Sequence, residues 1–424
     1  MEIYGEILDV NPEHEPTLAA LESMIDEKLE ALAAALVLEP VYRATGEAER
    51  LIRVIEVQIA VEEDPIAKVD RLHQVADLYE NHLDRSASAF EAYGRAVAGD
   101  PGNEDTLANL ERLAQEVEEG WQKVARLYDE QIVALREEAP DDVLDLAMRT
   151  AQIYELHLEQ PEPAIERLKL VLELDPGHVD AIRSLDRLYD ATEKWPELMD
   201  ILGREIDVAT SADEILDLQY RLGYVAHQHV GDIERAVEAY RGILEAAPEH
   251  QNAMAALEGI FASGVKALEI GEFLEPLYRM QEQWEKLLFL NEHLLQYQAD
   301  PSERIALMHR AAEIAESRLL AADRASIWMQ RALLEDPANE ETLREVERLA
   351  AVNDGWAQLA NTYADAIVSE IPAEDRVMLG KRLARVYEEE LGDVERSEAS
   401  LRYVVALAGK DQEALEALDR IYYE

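Results

Sequence analysis

Apolar residues recur along this chain three and four positions apart, the spacing of one face of a helix. The clearest register hangs on Pro12, Pro101, Pro176, Pro248 and Pro337. Six residues after each proline stands Leu18, Leu107, Ile182, Met254 or Leu343. Nine after stands Leu21, Leu110, Leu185, Leu257 or Val346, and twelve after stands Met24, Leu113, Leu188, Ile260 or Leu349. Each series predicts a helix that starts just past the proline turn. Two residues after the prolines come His14, Asn103, His178, His250 and Asn339, which suit helix caps or turns. A sixth copy without proline starts near Gly409, with Leu415, Leu418 and Ile421 in the matching places.

A second pattern precedes four of these turns. Ala89, Tyr93 and Ala96 stand before Pro101, and the spacing returns as Ala164, Leu168 and Val171 before Pro176. It returns again as Ala236, Tyr240 and Ile243, and as Ala325, Met329 and Ala332. Upstream, a small residue is followed three later by an aromatic: Ala76 and Tyr79, Ala151 and Tyr154, Ala384 and Tyr387. A small residue lets two helices approach, and the ring fills the next gap. This resembles the tetratricopeptide repeat, small-x2-Tyr … Ala-x3-Phe … Pro. Weaker hairpins alternate with these, marked by Trp121, Trp195, Trp284 and Trp356, with Ala48 in the first copy.

The resemblance implies an all-α fold, a right-handed α-solenoid of about 24 helices. Residues 1–424 would form one continuous array. Its implied role is to bind peptides or proteins along a concave groove.

A longer period overlies the repeats. A shift of 236 aligns Leu38-Glu-Pro-Val-Tyr-Arg43 with Leu274-Glu-Pro-Leu-Tyr-Arg279, and His73 with His309. The expectation is an internal duplication, 1–236 and 237–424, with the second copy incomplete. Each copy gains an extra helix, at about 28–44 and 265–281, and Pro40 and Pro276 inside them predict a kink or an early start.

Charge narrows the functional classes. Among 424 residues, 91 are acidic and 40 basic, a formal charge of −51. Phosphate binding needs a basic surface, so nucleic acid is not an expected partner. Partners with basic surfaces are, and salt should weaken their binding. Apolar residues at 48% can still build a core. Without cysteine there is no disulfide framework, Cys-bound zinc or thiol catalysis. The start carries no signal-peptide pattern, and the longest apolar run, Ala31 to Leu38, is far short of a membrane helix. A cytoplasmic protein without membrane insertion is expected.

Candidate chemistry is sparse. Asp141, Asp142 and Asp145 match a DDxxD diphosphate motif, but they follow Pro140 at a helix start, where acids complement the helix dipole. His227 and His229 are two apart, so a helix would point them apart rather than at one ion. The Trp row reads as anchors between hairpins. An acid stands ten residues after every turn proline: Glu22, Glu111, Asp186, Glu258 and Glu347. This row reads as a solvated or ion-pairing face. No catalytic residue, metal site or cofactor is expected.

One basic row runs against the overall charge: Arg149, Arg221, Arg310 and Arg382, with Gln74 in the first copy. The position is similar to one used by carboxylate-clamp tetratricopeptide domains, and a guanidinium fork suits carboxylates. An intervening weak hairpin would separate successive arginines by about 20 Å, too far for one carboxylate to touch two. Pairing with the acid rows and a ladder for an extended partner are the two readings.

The end helices carry Tyr4, Ile7 and Leu8, and Leu415, Leu418, Ile421 and Tyr422. The function expected is a noncatalytic interaction scaffold. Its alternative is a self-assembling array that stacks through these end helices.

Overall fold

The computed structural model describes residues 1–423, all of its regular structure helical. The chain divides into two compact units, Met1–Gly231 and Asp232–Glu424. In the first lie α1 (Glu2–Val10), α2 (Glu15–Asp26), α3 (Ala31–Thr45), α4 (Ala48–Ile59), α5 (Pro65–Asp77), α6 (Ser86–Val97) and α7 (Glu104–Ala114). There follow α8 (Gly120–Leu135), α9 (Pro140–Leu156), α10 (Pro161–Leu174), α11 (Val179–Ala191), α12 (Trp195–Val208) and α13 (Ala212–Val225). In the second lie α14 (Ile233–Ala246), α15 (Gln251–Ala262), α16 (Ala267–Met280), α17 (Trp284–Leu294), α18 (Pro301–Ser317) and α19 (Ala322–Glu335). It ends with α20 (Glu340–Asn353), α21 (Trp356–Val368), α22 (Ala373–Arg385), α23 (Val394–Ala408) and α24 (Gln412–Tyr423). Helices α5, α13 and α22 run on into π-helical turns at Leu78–His82, Ala226–Val230 and Val386–Glu390.

Within each unit, helices pack chiefly on their neighbours in sequence. That is the packing of a tetratricopeptide-like solenoid: each hairpin is amphipathic and buries its face on the next. The proline-turn series fills the interface. Leu107, Leu110 and Leu113 are fully buried on α7, as Ile182, Leu185 and Leu188 are on α11. The small residues Ala76, Ala151, Ala312 and Ala384 are buried.

Local chemistry sets the helix starts. Asn103 and Asn339 accept the backbone N–H of Thr106 and Thr342 at 3.0 Å. His178 and His250 do the same through Nδ1, from Ala181 at 3.2 Å and Ala253 at 3.1 Å. Each cap satisfies a donor that the first turn leaves free. His14 instead pairs its Nδ1 with the hydroxyl of Thr17 at 2.8 Å. The turn within the strong hairpins is closed by a residue with left-handed backbone: Asp84, Glu159, Gly231, Leu320 or Gly392.

Pro40 lies inside α3 and Pro276 inside α16, and the helix continues through both.

Candidate functional site

The acid row is held by side-chain hydrogen bonds and ion pairs. Four of its five members accept a tyrosine hydroxyl. Tyr128 donates to Glu111 at 3.1 Å and Tyr363 to Glu347 at 2.9 Å, both from the helix after the weak-hairpin turn. Tyr42 on α3 donates to Glu22 at 2.7 Å and Tyr278 on α16 to Glu258 at 2.8 Å. These tyrosines are buried. Burial first, then the facing carboxylate, pushes each phenol above its ordinary range. The hydroxyls therefore stay protonated donors.

The arginine row closes on the same acids. Arg382 reaches Glu347 at 2.6 Å, and Arg221 forks onto Asp186 at 2.8 and 3.0 Å. Arg149 binds Glu104 at 2.5 Å, Asp145 at 2.8 Å and Glu111 at 3.4 Å. Asp145 of the DDxxD run is thus an arginine partner, while Asp141 and Asp142 stand in the first turn of α9.

Arg310 differs. Its Nε is buried without a hydrogen-bond partner. The acid of its copy is paired elsewhere: Lys286 takes Glu258 at 2.6 Å, as Arg50 takes Glu22 at 3.6 Å. The first-copy counterpart of Arg310 is Gln74, whose side-chain oxygen accepts from Arg43 at 3.1 Å.

The 236-residue register extends to side-chain contacts. His73 meets Thr106 at 2.6 Å and His309 meets Thr342 at 2.7 Å. Arg112 holds Glu80 at 2.8 Å and Arg348 holds Glu316 at 2.5 Å.

The Trp row is half-buried rather than central. Trp121 stacks on His157 with ring centroids 3.7 Å apart, and Trp195 on His229 at 3.9 Å. Arg318 lies over Trp284 at 5.0 Å. His229 is thus a stacking partner, and His227 instead pairs with Gln228.

Several residues of the terminal helices are more exposed than their repeat counterparts. Leu8 is buried and Tyr4 and Ile7 are half-buried, while Ile3 is exposed; Tyr93, Ala96 and Val97 on α6 are all buried. Leu418 is buried, Ile421 half-buried, and Leu415 and Tyr422 exposed; the matching Leu343 and Ala350 on α20 are buried.

Sequence reasoning did not single out the tyrosines. The shared Glu-Pro-x-Tyr-Arg run was the available signal for Tyr42 and Tyr278. It also passed over Glu205, which is buried on α12 with one carboxylate oxygen unpartnered. Burial first, then nearby Asp186, raises its pKa.

The chain matches no family model and no curated protein. Among solved structures it is similar to Naa15/Naa10 bound to HypK-THB, at 15% identity over 94% of this chain and 66% of that one, with a TM-score of 0.31. The chain therefore spans just under two thirds of that structure's length. A tetratricopeptide repeat protein from Parabacteroides merdae is 14% identical over 66% of this chain and 98% of its own, with a TM-score of 0.27. PilF of Pseudomonas aeruginosa is 16% identical over 53% and 96%, with a TM-score of 0.26. At these scores the likenesses carry no argument about function. The repeat reading rests on the hairpins themselves. Among the described residues, no helix is long and apolar enough to cross a membrane.

Proposed function

We propose that the chain is a noncatalytic scaffold that binds proteins or peptides with basic surfaces. The carrying observation is how its own charges are spent. Most of its arginines are held by its own acids, in rows that tie one hairpin to the next. The surplus of 91 acids over 40 bases then faces solvent and any partner. Such a surface steers basic partners and repels nucleic acid and anionic lipid. In the arginine row, Arg149, Arg221 and Arg382 act within the scaffold, and Arg310 is the member left for a partner's carboxylate. The scaffold is built from a 236-residue unit and an incomplete second copy of it, a reading supported by the paired contacts described above.

The test is capture of binding proteins by the immobilised full chain, eluted with rising salt. The expected result is discrete basic proteins released by moderate salt. Capture of the same set by an equally acidic protein of another fold would overturn the reading.

A second reading is self-association through the exposed residues of the terminal helices, favoured by Ile3, Leu415 and Tyr422 lying open. Light scattering across protein concentration tests it. Mass constant at that of one chain would dismiss it.

A further inference from the structure

The first copy of the Trp row lacks its tryptophan, and the space is still there. Ala48 occupies the position of Trp121, Trp195, Trp284 and Trp356. Beside it is a cavity of about 180 Å³. Its floor is apolar and buried, from Ala48, Leu51 and Ile55, with Leu78 as a side wall. Its rim is polar and exposed, and includes Asp77 and His82.

His82 is the decisive neighbour. It stands six residues after the small residue Ala76, as His157 follows Ala151 and His229 follows Gly223. Those two histidines each stack on a tryptophan of their own hairpin pair. In the third case with a tryptophan, Arg318 covers the ring instead, and in the fourth the matching residue is Glu390. At the first copy the imidazole is kept and the indole is gone.

We infer that this cavity receives the indole side chain of a partner, which stacks on His82 over Ala48 as Trp195 stacks on His229. The volume takes the six-membered ring, since an apolar cavity of ~150 Å³ holds benzene, and the N–H edge of the indole would lie at the open polar rim. The chemistry fits as well. A ring buried against Leu51 and Ile55 leaves water with its two faces covered, and the rim carboxylate of Asp77 can accept a ring N–H. The occupant rests on the scaffold reading only in being part of a partner; the pocket itself is tested without one.

The experiment is titration of 5-fluoroindole with the full chain, followed by ¹⁹F NMR. The wild-type chain should give a saturable shift from one site. Ala48→Trp fills the cavity from within and should weaken binding at least tenfold while raising the melting temperature. Ala48→Leu, a smaller filling that folds more readily, should weaken it in the same direction. His82→Ala changes an exposed residue and should weaken binding several-fold without moving the melting temperature. Trp195→Ala should open a matching cavity under His229 and add a second site. No saturable shift with the wild-type chain, or equal affinity in folded Ala48→Trp and Ala48→Leu, would overturn the pocket. Acetyl-tryptophan amide should bind no more weakly than free indole. Its exclusion would overturn the partner side chain as occupant. Either failure leaves the capture experiment for the scaffold standing or falling separately.

Discussion

The guanidinium of Arg221 grips both carboxylate oxygens of Asp186, at 2.8 and 3.0 Å. No other acid of its row is held this way. Leu202 stands where Tyr128 and Tyr363 supply a hydroxyl to Glu111 and Glu347, so the arginine carries the task. Asp186 is also close enough to the buried Glu205 to raise its pKa. Arg221→Ala would leave two acids facing one another. A charge-assisted pair of this kind, partly shielded from water, contributes about 2 kcal/mol. Urea denaturation of Arg221→Ala should show a loss of that size. Arg382→Ala should cost less, because Tyr363 still donates to Glu347.

Glu205 itself should respond to pH. Its carboxyl is buried and has one oxygen without a partner, and Arg183 approaches the other only to 3.8 Å. Arg221 and Arg183 pull its pKa down, yet burial and Asp186 outweigh them and Glu214 adds to the rise. A carboxyl whose folded pKa exceeds its unfolded one favours folding while protonated. That contribution is complete below the unfolded value and disappears as pH rises through the folded one. Glu205→Gln should therefore stabilise the protein at neutral pH by about 1 kcal/mol, the cost of a buried unsatisfied group. Near pH 4 the variant and the wild type should melt alike. A variant less stable than wild type at pH 7 would show that the ionised form is well solvated or paired.

The helical hairpins were legible because burial repeats with a period that side-chain volume enforces. Leu107, Leu110 and Leu113 can only face a neighbour. The capping role of the residue after each proline turn was legible too, since Asn and His can both present an acceptor to the first turn. The tyrosine-to-acid bonds were not. Tyr128 stands 17 residues after Glu111 and Tyr42 stands 20 after Glu22, each on the next helix. One geometric role is thus played from two sequence positions, which no single spacing reveals. The arginine row was visible as a row, but two readings stayed open. Pairing with the acid row is what Arg149, Arg221 and Arg382 do, and Arg310 is exempt because Lys286 has taken its acid.

Replacement of Arg310 by glutamine tests that account. Gln74 is the residue in the other copy, and it accepts a hydrogen bond from Arg43, which also holds Glu39 at 2.8 Å. Arg279 stands in the place of Arg43 and holds Glu275 at 2.8 Å. Arg310→Gln should give Arg279 the missing acceptor and remove a buried unpartnered donor. Stability should stay level or rise by about 0.5 kcal/mol. A stability loss above about 1 kcal/mol would mean that the guanidinium is held within the protein.

Leu320 is the least comfortable residue of the hairpin turns. Its backbone is left-handed, with φ of 54°, and its side chain is 86% exposed. A left-handed conformation costs a residue with a β-carbon roughly 1–2 kcal/mol, and leucine has no polar group to offset it locally. The same turn position holds glycine at Gly231 and Gly392, where the strain is absent. Asp84 and Glu159 fill it in the other copies. The exposed side chain gives up almost no burial on removal, so the backbone term should decide the outcome. Glycine also frees the unfolded chain, which returns part of the gain. Leu320→Gly should therefore stabilise the protein by about 0.5–1 kcal/mol, read as a shift of the urea midpoint at unchanged slope. Leu320→Asn should give a smaller gain, because asparagine tolerates this backbone better than leucine but less well than glycine. Leu320→Val, branched at the β-carbon, should be worse than the wild type. The order Gly, Asn, Leu, Val is the outcome that backbone strain demands, and a reversed order would mean that Leu320 is held by contacts of its side chain.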